Sequence, residues 1–210
     1  SLPKMEAIDR YLLPDRRLDD REAAVVRQLR TLLDAPATRE EGLSFILQRI
    51  HTSAFRSLLL RVSPTLYTCF FAPPHDNINA ILTSLFIVHS LSTDPAYARL
   101  LLEFDPGVFK HFRSLLSLED TTVTAHTLEI VLNVSAHAPD QAVFAEMVGP
   151  RVTLFRRNVQ YRPLTGRCLA SFMAARVNQI AFVRLDGIDC ALSVLSSHLP
   201  DEQLLAAALL

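Results

Sequence analysis

The chain has 210 residues, a formal net charge of −1 and 50% hydrophobic residues, with five Gly, 12 Pro and no Trp. That balance supplies enough apolar material for a large core and excludes both an intrinsically disordered segment and a broadly cationic nucleic-acid coat. No stretch reaches the ~18 uninterrupted apolar residues of a membrane span and no charged-then-apolar leader opens the sequence, so no segment is expected to enter a bilayer.

Leu, Ala, Arg and Glu dominate and runs of alternating apolar and polar residues are almost absent, which predicts an all-α fold. In chain order, the first expected element is an N-terminal helical cap filling residues 1–36, with helices over Lys4–Leu13 and Arg21–Leu33. From residue 37 a pattern of longer helices begins. LSFILQRI carries Gln48, LFIVHSLS carries Ser90, LEIVLNVS carries Asn133 and LASFMAAR carries Ala174 at one shared register position, about forty residues apart. After each comes a short apolar segment, LLLRVSP, LLLEFDPG, FAEMVGP and FVRLDG, expected to break at Ser63, Gly107, Gly149 and Gly187. Glycine there allows the positive φ that ends a helix, and Pro64, Pro106 and Pro150 suit the first turn of the next. A third, medium helix follows, as in VFKHFRSLL and DCALSVLSSHL. Pro14, Pro36, Pro73, Pro74, Pro139, Pro163 and Pro200 fall at junctions, where a missing N–H costs no helical hydrogen bond.

Each unit is therefore three helices. Apolar residues at steps of three and four, as in Leu128, Val131 and Leu132 or Phe109, Phe112, Leu115 and Leu116, give each helix a wide stripe that one unit cannot bury alone. Stacked neighbours must cover it. The expectation is one continuous domain over residues 37–210, holding about four repeats and the start of a fifth. An irregular stack of helix pairs of the HEAT or adaptor type is the second choice of fold.

Three helices per unit, a glycine-broken second helix and this period resemble the armadillo repeat, and APDQAVFAEMVGPRVTLF is similar to that family's inter-repeat segment. The resemblance covers roughly residues 20 to 210 and implies a right-handed α-solenoid whose long helices line a concave groove. It also implies that an Asn near the end of each long helix grips the backbone of an extended peptide. Asn133 occupies that position in one unit, with Gln48, Ser90 and Ala174 in the others. The position one turn earlier, Trp in nuclear-import members, reads Ser44, Phe86, Glu129 and Ala170, which disfavours nuclear-signal carriage.

None of the short catalytic signatures GxSxG, HExxH, GxxxxGKS/T or GxGxxG occurs. The seven His are scattered, and His126 with Glu129 makes a single i,i+3 pair, short of the three or four convergent ligands of a metal site. The chain is expected not to be an enzyme and to need neither cofactor nor metal. Cys69, Cys168 and Cys190 stand alone in apolar helical stretches, so buried, reduced thiols and a cytoplasmic setting are expected, with a nuclear one left open.

The long-helix register instead names a binding strip: Glu41, Ser44 and Gln48; Thr83, Phe86 and Ser90; His126, Glu129 and Asn133; Arg167, Ala170 and Ala174. Phe86 is the expected anchor, because a central aromatic often carries much of an interface's energy; a one-residue shift of register would bury it instead. From Met147 to Leu185 there is no Asp or Glu, while Arg151, Arg156, Arg157, Arg162, Arg167, Arg176 and Arg184 accumulate into an expected basic patch. Such a patch attracts an acidic or phosphorylated protein segment. Nucleic acid is disfavoured by the near-zero net charge and by the lack of aromatics among these arginines.

The sequence thus points to a protein-interaction scaffold or adaptor that binds a partner segment along the long-helix face, taking part in complex assembly. The alternative is a regulatory domain docking on a small GTPase or a cytoskeletal assembly factor, as similar helical domains do in formin-like and engulfment-type regulators. Nucleic-acid binding through the Arg-rich face ranks lower. The run LLAAALL (Leu204–Leu210) reads as an end face that meets a further repeat or, if uncovered, a second copy in a homodimer.

Overall fold

Asp19 opens the first helix by a reciprocal cap: its carboxylate accepts from the Glu22 amide at 2.8 Å while the Glu22 carboxylate accepts from the Asp19 amide at 3.1 Å. That exchange satisfies two of the donors every helix start leaves over. The structure, a computed structural model, describes residues 18–70, 77–104, 108–138, 140–197 and 199–210, and among these there are helices and turns but no strand. They fall into two compact units that divide between Leu91 and Ser92.

The first unit contains α1 (Asp20–Asp34), α2 (Arg39–Arg49), α3 (Ser53–Phe70) and most of α4 (Ile78–Ser92). Its core is Leu29 and Leu33 from α1, Leu43 and Ile46 from α2, Leu58, Leu59 and Val62 from α3, and Ile81, Leu85, Ile87 and Val88 from α4. Gly42 lets α2 press against α1, since a Cβ there would lie 3.0 Å from both Leu32 Cβ and Leu33 Cδ2. Arg61 of α3 pairs with Glu22 of α1. Arg56 donates to both the hydroxyl and the carbonyl of Ser90, at 3.0 and 2.7 Å.

The second unit runs through α5 (Pro95–Phe104), α6 (Val108–Leu116), α7 (Thr121–His137), a 3-10 turn (Gln141–Phe144), α8 (Ala145–Arg157), a second 3-10 turn (Val159–Tyr161), α9 (Arg162–Phe172), α10 (Arg176–Arg184), α11 (Gly187–Leu195) and α12 (Pro200–Ala207). An aromatic file threads its core: Phe109 meets Phe144 edge-on at 4.8 Å, and Phe144 stacks on Phe172 at 4.6 Å. Four of its side-chain hydrogen bonds join residues 40 or 41 apart. Asn133 Nδ2 donates to Ser92 Oγ, 41 residues away, at 3.0 Å, and the Tyr161 hydroxyl donates to the Thr121 carbonyl, 40 away, at 3.1 Å. Cys168 Sγ donates to the Leu128 carbonyl, again 40 away, at 3.5 Å, and Arg162 pairs with Glu202, also 40 away, at 3.1 Å. Because Thr121 and Leu128 meet Tyr161 and Cys168 at one offset, α9 and the turn before it run parallel to α7.

Several expected breaks are elsewhere. Helix α3 continues through Ser63 and Pro64, and α8 continues through Gly149 and Pro150. A proline inside a helix removes one hydrogen bond at a cost of ~3 kcal/mol, which leaves the remaining turns able to hold the helix together. In α8 the Thr153 hydroxyl, donating to the Gly149 carbonyl at 3.1 Å, supplies an added local bond. No described glycine has positive φ; the left-handed residues are Glu119 and Asp186, the latter at φ 56°. Gly187 is needed for another reason, since a Cβ there would fall 2.4 Å from the Phe182 ring. The cap helix expected at Lys4–Leu13 and the Gly107 turn lie outside the described residues.

Candidate functional site

Asp120 starts α7 by accepting from the Thr122 and Val123 amides, both at 2.9 Å. From there the helix buries Val123, Leu128, Val131 and Val134, together with Thr127, whose hydroxyl donates to the Val123 carbonyl at 2.7 Å. The positions at the other side of that stripe, His126, Glu129 and Asn133, are half-buried. His126 Nδ1 lies 3.3 Å from Glu129 Oε2, an i,i+3 pair that becomes an ion pair when the imidazole is protonated. On α7 these three residues lie together on the less buried side of the helix. Its Asn133 already spends a donor on Ser92, an interaction a peptide-gripping amide would have to share.

On α4, Phe86 is 39% exposed, so its register places the ring at the surface and not in the core. Ser90 is half-buried and engaged by Arg56. On α9, Arg167 is exposed and Ala170 half-buried.

The basic patch is smaller than the sequence suggested. Arg151 has no exposed surface at all. It sits on the buried stripe of α8 among Met147, Val148, Val152 and Phe155, the three-and-four spacing that marks a core face, so the helical period held the signal that the charge obscured. Its Nη1 approaches Met147 Sδ at 3.9 Å, whereas Nε and Nη2 have no hydrogen-bond partner among the described residues. Burial pushes the guanidinium down to about 10, an effect opposed by the neighbouring Cys168. Burial likewise pushes the Cys168 thiol up to about 11, against the pull of Arg151 and Arg167.

Arg162 is committed to structure, donating from Nε to the Phe155 carbonyl at 3.1 Å and pairing with Glu202, which is 5% exposed. Arg156 is exposed yet tethered, donating to the carbonyls of Leu185 at 3.5 Å and Asp186 at 3.3 Å. Arg157, Arg176 and Arg184 are exposed. The outward positive charge therefore rests on Arg156, Arg157, Arg167, Arg176 and Arg184. Cys168 and Cys190 are buried free thiols, as expected; the Cys69 side chain lies outside the described residues. No helix in the described residues is long and apolar enough to cross a membrane.

No protein-family model matches the chain, and no curated protein matches it. Among solved structures it is similar to the crystal structure of an engineered protein, with a TM-score of 0.60 at 13% identity, covering 98% of this chain and 95% of that one. A second engineered protein aligns with a TM-score of 0.59 at 12% identity, covering 97% of this chain and 57% of that one. At such identities the likeness concerns the fold alone, and the class reached is that of an all-α protein.

Proposed function

We propose that the chain is a non-catalytic protein-interaction module, an armadillo-like stack of three-helix repeats that captures a segment of a partner protein along the outward sides of its long helices. The observation that carries the reading is the constant offset in the second unit. Tyr161 on Thr121 and Cys168 on Leu128, each 40 residues apart, set α9 and the turn before it beside α7, which supports a stacked-repeat reading. The pairs α5, α6 before α7 and α10, α11 before α12 fit a three-helix unit, whereas α3 and α8 each stand as one helix where two were expected.

His126 and Glu129 sit side by side on α7 and Arg167 is exposed on α9, and the reading assigns all three to the partner-facing surface. The residues on it suit a polar, partly acidic segment better than an apolar one. Affinity capture with mass spectrometry, comparing the unaltered chain with one carrying Phe86→Ala, Asn133→Ala and Arg167→Ala, tests the reading. Partners missing only from the substituted chain, at unchanged helix content by circular dichroism, support it. Identical sets of captured proteins would sink it.

A further inference from the structure

Helix α10 carries a second surface that the long-helix ridge does not include. Its sequence RVNQIAFVR buries Asn178 and Phe182 and turns Val177, Ile180 and Val183 outward, at 47%, 44% and 54% exposure. One exposed valine is ordinary on a protein surface. Three β-branched residues at successive steps of three, on a helix of nine residues, form a continuous apolar stripe. The stripe borders a cavity of about 380 Å³ lined in part by Phe182, Val183, Ile188 and Leu209.

The surround of that stripe is positive. Arg176 stands before its first residue and Arg184 after its last, both exposed. Arg156, held by the carbonyls of Leu185 and Asp186, adds a third guanidinium at the same end as Arg184. No carboxylate occurs in the chain between Met147 and Leu185, and the first ones beyond, Asp186 and Asp189, follow the helix. An apolar stripe bracketed by arginines is complementary to one kind of occupant.

We propose that the α10 face docks an acidic amphipathic helix of a partner protein, whose apolar side chains lie on Val177, Ile180 and Val183 and whose carboxylates meet Arg176, Arg184 and Arg156. A second copy of this chain fits less well. In a two-fold pairing of α10 with itself about Ile180, Arg176 of each copy would face Arg184 of the other, setting like charges together. Nucleic acid would leave the apolar stripe without a counterpart. The proposal is independent of the long-helix ridge, because none of its residues lies on α4, α7 or α9.

Fluorescence anisotropy with two synthetic helical peptides tests it on the full chain. Both carry Leu at i, i+3, i+4 and i+7; one is flanked by Glu and the other by Lys. The Glu peptide is expected to bind at least about tenfold more tightly, with affinity falling as salt rises. Ile180→Asp should abolish binding, and Arg176→Glu with Arg184→Glu should reverse the preference toward the Lys peptide. Phe86→Ala and Arg167→Ala should leave both affinities unchanged, which separates this surface from the ridge. Equal affinities for the two peptides, no binding of either, or a sedimenting dimer of the unaltered chain that Ile180→Asp makes monomeric would each overturn the proposal. Because both charge-reversed positions are exposed, the preference swap remains readable should Ile180→Asp perturb folding.

Discussion

Asn178 Nδ2 donates to the Gln141 carbonyl at 2.6 Å, tying α10 to the 3-10 turn before α8, and to the Phe172 carbonyl at 2.9 Å. The residue has no exposed surface. Replacing it by Ala would leave two carbonyls without that donor in a place where water has poor access. Asn178→Ala is expected to cost about 1–3 kcal/mol, since stranding a buried polar group loses more than the net value of its bond. At roughly 2–4 °C per kcal/mol for a chain of this size, thermal unfolding should show a clear drop in midpoint.

Gly187 and Phe182 form a second tight relation. A Cβ at residue 187 would lie 2.4 to 2.6 Å from three atoms of the Phe182 ring, far inside contact distance, so Gly187→Ala must push the ring aside. A destabilisation of about 1–3 kcal/mol is expected, the usual cost of overpacking. The pair should be coupled. Added to Phe182→Ala, the Gly187→Ala change should cost much less than it does alone, because the ring it strikes has gone; a double-mutant cycle in chemical denaturation reads the difference. Strict additivity of the two losses would argue against this packing.

Arg151 makes the opposite prediction. A guanidinium buried among Met147, Val148, Val152 and Phe155, with Nε and Nη2 unpartnered among the described residues and only sulfur facing Nη1, carries a desolvation cost that its hydrogen bonds do not match. Arg151→Met keeps much of the side-chain volume and removes the charge, so it should be neutral or stabilising, by up to about 4 kcal/mol. The sign of the pH dependence follows from the lowered value of about 10. Above it the folded chain releases the proton while the unfolded chain still holds it, so this group's penalty is full below pH 10 and fades as pH rises. The advantage of Arg151→Met in urea denaturation should therefore shrink between pH 9 and 11, relative to the unaltered chain.

The same geometry makes Cys168 inert. Its thiol is buried, held against the Leu128 carbonyl and pushed up to about 11 by burial, so little thiolate exists near neutral pH and none of it is accessible. Cys190 is buried as well, at 4% exposure. Peptide mapping after brief maleimide treatment at neutral pH should find both cysteines unmodified in the native chain and both modified after denaturation. Rapid native labelling of Cys168 would contradict the packing of α9 on α7.

These relations separate what the sequence made legible from what it hid. The all-helical class was readable from the Leu, Ala, Arg and Glu content and the lack of alternating runs, and the described residues form helices and turns without a strand. The second cap helix was readable from its apolar spacing and lies at Asp20–Asp34. Breaks were less so. Gly149 and Pro150 carry the composition of a turn, yet neighbouring turns of α8 hold the helix through them, and local residue preferences are weak beside tertiary packing. The left-handed residue proved to be Asp186 and not the glycine after it, because Gly187 serves close approach to Phe182. Arg151 was misread because charge was counted before helical face. On α10 apolar spacing alone does not separate the core face from the outward one, since only burial distinguishes Phe182, at 2%, from Val183, at 54%.

Phe86 gives the sharpest test of the proposed partner binding on α4. At 39% exposure on α4, flanked in sequence by the buried Leu85 and Ile87, it is an aromatic ring placed outward on an otherwise well-buried helix. Truncating it to Ala removes exposed aromatic area that a partner would use. The expected outcome is a change in stability below about 1 kcal/mol, in the range of substitutions away from packed positions. Affinity for a captured partner should fall by at least about 2 kcal/mol, the scale of an aromatic hot spot. Isothermal titration calorimetry with that partner, run beside thermal denaturation of both chains, separates the two quantities. If the thermal midpoint fell sharply while affinity held, Phe86 would be a packing residue and the ridge would have to find its anchor elsewhere.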